Sequence, residues 1–467
     1  MNRLARTAAL LVAVVLLASC GAQSTPAPAG HGAHTGHTAG STPAAAPLRT
    51  GERFANLTMA EPYTPAPPNG GTDDYRCFLI DPKLTSKVFL TGAQFQPQNR
   101  DLVHHAIFFR LDPEHAAEAR KLDDSTPGQG WTCFGDSGVD GDSWVAHWAP
   151  GTSETLLDPK YGYELPPGSR LVMQVHYNLL GVAGKPGTDR SGIRLRFTDQ
   201  PLQPLQTALF QAPIELPCTP QESGPLCDRA AAVEDVGARF GEEIKETSEM
   251  LAKFCGPIKP GPTQHCDMPV EHPATVHAMA GHMHLLGRSI KVELNPGTPQ
   301  ARTLLDVPNY DFDDQSLRVL PTPAKVKKGD VVRVTCTHDA GLRAQLPQLQ
   351  KLPPRYVVWG DGTSDEMCLG IAIVTPGSCD APLPRQRSAA GPLRRRGHLT
   401  YTATGPSLSH LMSAVLCLVC RPVPGSIAKS PNKVTVRSPV AADHSSACPV
   451  PPARSAQWVA MIAAATA

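Results

Sequence analysis

Arg170-Leu171-Val172-Met173-Gln174-Val175-His176-Tyr177 is an unbroken, mostly apolar run with no proline or glycine inside it. A run of that length, rich in aliphatic residues and bounded by turn formers, reads as a buried strand. Comparable runs recur at Lys87-Val88-Phe89-Leu90, Ile193 to Phe197, Ser289 to Leu294, Val331 to Thr335 and Leu369 to Val374. They lie between turn signals drawn from 48 prolines and 39 glycines in 467 residues, so the body of the chain is expected to be mostly β. Only Pro113 to Leu122 and Ala230 to Phe254 read as helical. The length suits two domains, and no internal repeat organises them.

The same apolar runs carry histidines. His104 and His105 lie in Val103-His104-His105-Ala106-Ile107-Phe108-Phe109-Arg110, His176 in the run quoted above, and His282 and His284 in Gly281-His282-Met283-His284-Leu285-Leu286-Gly287-Arg288. Met367 follows in Ser364-Asp365-Glu366-Met367-Cys368-Leu369. Imidazole serves both oxidation states of copper and thioether sulfur favours Cu(I), so the mixed set suits a metal that cycles between them. Zinc would call for cysteine, a carboxylate or a third histidine instead.

Taken singly the residues say less. On a strand His282 and His284, two apart, share a face and reach a single ion together. His104 and His105 are adjacent and face opposite ways on a regular strand, so joint binding requires a bulge or a strand end. A lone His176 is more often a hydrogen-bonded core residue, and a lone Met367 more often core filler.

The N-terminus indicates export. Arg3 and Arg6 precede an apolar run from Ala8 to Leu17, too short for a membrane span. It ends in Leu17-Ala18-Ser19-Cys20-Gly21, which resembles a bacterial lipobox, with Cys20 as the lipidated residue. The chain is therefore expected to be an exported, cell-envelope lipoprotein, tied to the membrane by its N-terminal lipid at the outer face or in the periplasm. Residues 1–20 read as signal peptide, 21–50 as a flexible tether rich in His, Pro and Ala, and 381–467 as a disordered tail without strand alternation. A formal net charge of +1 excludes nucleic acid as the expected partner.

Thirteen cysteines in an exported chain favour disulfides. Nine of them lie between Cys77 and Cys379, an odd number, and spacing alone does not decide the pairing. Gly135-Asp136-Ser137-Gly138 looks like the nucleophile loop of a serine protease, but no suitable histidine motif accompanies it, and a surface turn is the simpler reading.

In this order, the motifs resemble those of the copper type II, ascorbate-dependent monooxygenases, the family that includes the dopamine- and peptidylglycine-hydroxylating enzymes. They are His104-His105, Gln174-Val175-His176-Tyr177, His282-Met283-His284 with Gly287-Arg288, and Asp365-Glu366-Met367-Cys368. The likeness runs from about Asp73 to Cys379 and is poor between Cys218 and Cys266. It implies an all-β chain of two tandem antiparallel, jelly-roll-like β-sandwich domains, 51–200 and 205–380, with a copper site on each side of a solvated interdomain cleft.

His104, His105 and His176 would hold the electron-supplying copper, and His282, His284 and Met367 the catalytic, oxygen-binding one. The implied reaction is hydroxylation of a C–H bond by O2, each of two coppers per chain giving one electron, with ascorbate or another reductant as donor. The resemblance also implies disulfides Cys77–Cys133, Cys336–Cys368 and Cys266–Cys379, leaving Cys218, Cys227 and Cys255 unassigned. Peptide-amidating members hold a substrate carboxylate with an arginine, an asparagine and a tyrosine where this chain has Ala280, Leu369 and Ile371. The expected substrate is accordingly small and apolar or aromatic, and the protein a monomer. The alternative is a non-catalytic surface lipoprotein that binds or delivers copper.

Overall fold

A computed structural model describes residues 43–180, 182 and 187–377. Cys20, the signal segment, most of the tether and the tail with Cys379 lie outside these residues. Residues 43–377 belong to one compact unit.

The apolar run Arg170 to Tyr177 forms the strand Arg170–Asn178. It is the middle of a five-stranded sheet in the order Trp131–Thr132, Asp73–Ile80, Arg170–Asn178, Val103–Leu111, Asp142–Trp148. Both its faces are covered, as its uninterrupted apolar sequence requires. On one side Met173, Val175, Ala106 and Phe108 meet Leu90, Ile193, Leu195 and Phe197 from a second sheet. On the other, Cys77, Ile107 and Val172 pack with Trp131 and Ala119 of the helix Ala116–Ser125. The second sheet joins Glu52–Thr58, Gly192–Thr198, Val88–Gln96, Tyr161–Leu165 and Gln203–Pro204, with Thr155–Leu156 added to Val88–Gln96.

From Gln206 onward the pairing partners change. Gln206–Gln211, Leu369–Pro376, Ala274–His282 and Arg318–Val326 form one sheet, and Thr263–Pro269, Val331–His338, Gly287–Leu294 and Arg302–Val307 another. Their side chains share a core that contains Val276, Leu369 and Ile371 from the first and Ile290, Val292 and Val334 from the second. Ala278 and Ile373 instead pack into the core of the earlier strands, so the two halves are in contact. Among the described residues the strands pair antiparallel except where Gln203–Pro204 runs parallel to Tyr161–Gly162, and an isolated parallel bridge joins Trp359 to Glu366.

Three expectations need correction. The helical stretch Ala230 to Phe254 is two helices, Arg229–Phe240 and Glu242–Phe254, because Gly241 adopts φ 99°, a conformation that ends the first. The stretch read as tether is held from Pro43 onward: Gln94 donates to the Pro43 carbonyl, the Ala46 amide to Glu154 (2.7 Å), and buried Arg196 to the Pro47 carbonyl (3.1 Å). Cys266 bonds Cys255, not Cys379, since the helix Glu242–Phe254 returns the chain to the strand Thr263–Pro269. The other disulfides among the described residues are Cys77–Cys133, Cys336–Cys368 and Cys218–Cys227.

Candidate metal centres

His176 and His105 are direct cross-strand partners, and the register slips between Val103 and His105. That slip is a bulge of the kind the adjacent pair required, and it turns His104 to the same side as its neighbour. The three Nδ1 atoms then converge, at 3.1 Å for His104–His105, 3.4 Å for His104–His176 and 3.3 Å for His105–His176. An ion at the usual metal–imidazole length of about 2.0 Å would see these edges at about 100–115°, ordinary angles for a three-nitrogen site.

Hydrogen bonding fixes which nitrogen faces the centre. His176 Nε2 lies 2.9 Å from Asp73 Oδ1, fully buried, and donates there. Its Nδ1 consequently presents a lone pair toward two other ring nitrogens, an arrangement that a cation satisfies and hydrogen bonds alone do not. Asp73 also accepts from the Thr363 amide (3.1 Å) and hydroxyl (2.5 Å). Burial would raise the Asp73 pKa, yet these bonds and the His176 imidazole hold it below the usual carboxylate value. Tyr75 stacks on His176 with centroids 4.0 Å apart, and Phe312 stacks on His104 at 4.2 Å.

The second set is built differently from the strand alternation expected of it. His282 is the last residue of its strand, and His284 sits in the following turn. Glu366, fully buried, accepts from the His284 amide (2.9 Å) and the Leu286 amide (2.6 Å), and Tyr310 bonds the Met283 amide and carbonyl. Gly287 permits the turn, since a Cβ there would meet Met283 Cβ and Tyr310 Cδ1 at 2.9 Å. His282 Nδ1 donates to Gln315 Oε1 (2.6 Å) and His284 Nδ1 to the Asp365 carbonyl (3.2 Å). Both Nε2 atoms therefore carry lone pairs, and His284 Nε2 is buried with no hydrogen-bond partner. The ring centroids are 5.1 Å apart. Met367 is buried two residues beyond Asp365, on the segment that His284 touches. These residues fit a soft cation such as Cu(I).

The two sets are neighbours. The His105 and His282 rings are 5.5 Å apart, so the solvated gap expected between the sites is not present here. Two segments close it: residues 310–315, which put Phe312 on His104 and Gln315 on His282, and residues 361–365, where Tyr75 bonds the Asp361 carbonyl and Thr363 bonds Asp73. Asp73, Gln315, Glu366, Phe312 and Thr363 were not identified from sequence. Only Glu366, inside the methionine motif, left any trace there.

Ser137 of the Gly-Asp-Ser-Gly loop is fully buried, and its amide bonds Asp142 (3.0 Å). No nucleophile is displayed there.

Burial first, and neighbouring imidazoles second, depress the His105 pKa well below normal and that of His282 to about 3. Burial also lowers His284, and takes His147 to about 4. Neutral rings are the metal-binding form. In the metal-free protein, unfolded imidazoles gain protons below about 6.5 while these do not, so stability falls as pH drops. Asp142 and Asp361, pushed up to about 7 mainly by burial, act in the opposite sense. The lowered imidazoles outnumber the two raised carboxyls, so the net effect is a loss of stability as pH falls from 6.5 to 5. Urea unfolding of metal-free protein at those two pH values measures it; equal or greater stability at pH 5 contradicts it.

Residues 262–372 match the sequence family described as copper type II ascorbate-dependent monooxygenase, C-terminal domain. Human dopamine beta-hydroxylase is 26% identical over 311 residues, which cover 64% of this chain and 42% of that protein. The chain thus matches less than half the length of that relative. Among solved structures, the major capsid protein P2 of bacteriophage PM2 aligns with a TM-score of 0.26 and 8% identity, over 70% of this chain and 99% of that one. An allantoicase aligns at 0.17 and 10%, over 66% and 90%. Neither score is high enough to bear on the fold.

Proposed function

The chain belongs to the copper type II ascorbate-dependent monooxygenases, and from that premise we propose that it hydroxylates a C–H bond of a small apolar or aromatic molecule, using O2 and a reductant such as ascorbate. The observation that carries this reading is the pair of imidazole clusters, three Nδ1 atoms within 3.1–3.4 Å and a buried, unpartnered His284 Nε2 beside the Met367 segment. Copper held at both clusters would supply two single electrons to O2. His104, His105 and His176 would form the electron-supplying site, and His282, His284 and Met367 the oxygen-binding site. The reading retains two tandem sandwich domains, 51–200 and 205–380; strand pairing among the described residues that never crosses Leu205 supports it. It also retains a monomer carried at the cell envelope through Cys20.

The protein's own groups orient the rings. Asp73 and Gln315 fix the tautomers of His176 and His282, the Asp365 carbonyl fixes that of His284, and Glu366 holds the turn between them. Substrate chemistry follows from the strand beside His282. Leu369 is its cross-strand partner and Ile371 that of Ala280, all of them buried and without charge. The nearby guanidinium groups of Arg239 and Arg355 are both engaged by Asp365 and Asp235. A carboxylate has nothing at these positions to pair with, whereas a phenyl ring or alkyl chain does not require it.

The test is ascorbate-dependent O2 consumption by copper-loaded protein with a panel of phenethylamines and other small aromatics beside hippurate-like peptides. Hydroxylated product from the first group supports the reading. Efficient peptide turnover overturns the substrate class, and copper binding without turnover of any panel member favours the copper-delivery alternative.

A further inference from the structure

The segment between Cys218 and Cys266, where the sequence likeness is poor, folds as a helix pair, and its first helix ends against residues that touch both histidine sets. Asp228 caps that helix, accepting from the Ala231 amide at 2.9 Å. At the other end Arg239 forms a two-pronged pair with Asp365, Nη1 to Oδ2 and Nη2 to Oδ1 both at 2.7 Å, while its Nε bonds Asp235 at 2.9 Å. Arg355 closes the network on Asp235 (2.8 Å) and Asp365 (3.3 Å). Asp365 is 1% exposed, so its carboxylate depends on these guanidinium partners rather than on water.

That carboxylate belongs to the residue whose carbonyl accepts from His284 Nδ1 and which lies two positions before Met367. The fit is close: a Cβ on Gly362 would stand 2.6 Å from Asp365 Oδ2 and 2.9 Å from both Arg239 Nη1 and Phe240 Cζ. The helix end reaches the other histidine set as well. Phe240 packs on Phe134 (5.3 Å), Phe134 on Tyr75 (5.7 Å), and Tyr75 on His176. Asn69 donates to the Ala238 carbonyl at 3.1 Å. Disulfides Cys218–Cys227 and Cys255–Cys266 fasten the segment at its entry and exit.

We infer that Arg239 is a positioning residue for the methionine site: its two-pronged grip on Asp365 sets the 361–367 segment and thereby presents the Asp365 carbonyl to His284 and Met367 to the metal. The inference rests on the two-site copper reading. A planar guanidinium matches a carboxylate at two points, and lysine cannot reproduce that match. Arg239→Lys keeps the charge and loses the geometry. Arg239→Ala loses both.

The experiment is anaerobic Cu(I) titration with X-ray absorption at the copper edge, on the full chain with its disulfides intact. Wild-type protein is expected to take two equivalents, with sulfur among the ligands. Arg239→Lys should weaken the second equivalent by about 10–100-fold, the range for loss of an outer partner of a metal ligand, and diminish the sulfur contribution. Binding of the first equivalent should be unchanged, and Arg239→Ala should show the larger effect. A folded Arg239→Lys with wild-type second-site affinity and undiminished sulfur signal overturns the inference, whatever becomes of Arg239→Ala. If wild-type protein shows no sulfur-ligated copper, the two-site reading itself fails and the inference falls with it.

Discussion

Met367→Ala should abolish hydroxylation and substrate-dependent O2 consumption while leaving copper at His104, His105 and His176 in place. Removing an outer partner of a ligand costs about 10–100-fold in affinity or activity, and removing the thioether itself should cost more. The second set would retain only His282 and His284, both hard enough to accept Cu(II), and lose the soft donor that favours Cu(I). The substitution is distinguishable from general damage. Met367 follows directly on Glu366 and precedes Cys368 of the Cys336–Cys368 disulfide, which anchors the segment independently of its side chain. A variant that unfolds normally, holds one copper and consumes no O2 is the expected result. Wild-type turnover in that variant would remove Met367 from the site.

Glu366→Ala should have the largest effect on the fold of the site. The Glu366 carboxylate is fully buried and accepts from two backbone amides, those of His284 and Leu286. His338 Nε2 stands 3.3 Å from the same carboxylate. Truncation leaves two buried amide donors unmatched at about 1–3 kcal/mol each, so a loss of about 2–6 kcal/mol is expected. The turn carrying His284 should loosen, and the second copper with it. Thermal or urea unfolding together with copper analysis measures both consequences. Glu366→Gln keeps the volume and one acceptor oxygen and should fall between wild type and alanine. Full stability and two coppers in Glu366→Ala would show that the turn is held by other means.

Much of this was legible in local pattern. The strand around His176 carries apolar residues on both faces because it is the central strand of a doubly covered sheet. The adjacency of His104 and His105 demanded a bulge, and one lies there. The spacing of His282 and His284 suggested one face of a strand, and there the local rule misled: the strand ends at His282, and the two rings are brought together by a turn that Glu366 and Tyr310 hold. The helix boundary at Gly241 was similarly hidden, since an amphipathic pattern on both sides of one glycine looks continuous.

What the sequence concealed is long-range and polar. Asp73 and Thr363 are 290 residues apart yet share a hydrogen bond, and Arg239 reaches Asp365 across 126. Nothing in the neighbourhood of an ordinary surface-like Asp, Gln or Arg reports such a partner. The proximity of His105 to His282 was concealed for the same reason, because it depends on how residues 310–315 and 361–365 bridge the two halves.

The proposed pair of coppers in unlike sites is tested by copper stoichiometry, from anaerobic Cu(I) titration of wild-type protein beside His176→Ala and His284→Ala. Two equivalents for wild type, and one for each variant, is the predicted result, with sulfur ligation retained in His176→Ala alone. One equivalent or none in folded wild-type protein, or loss of both coppers to either substitution, contradicts it.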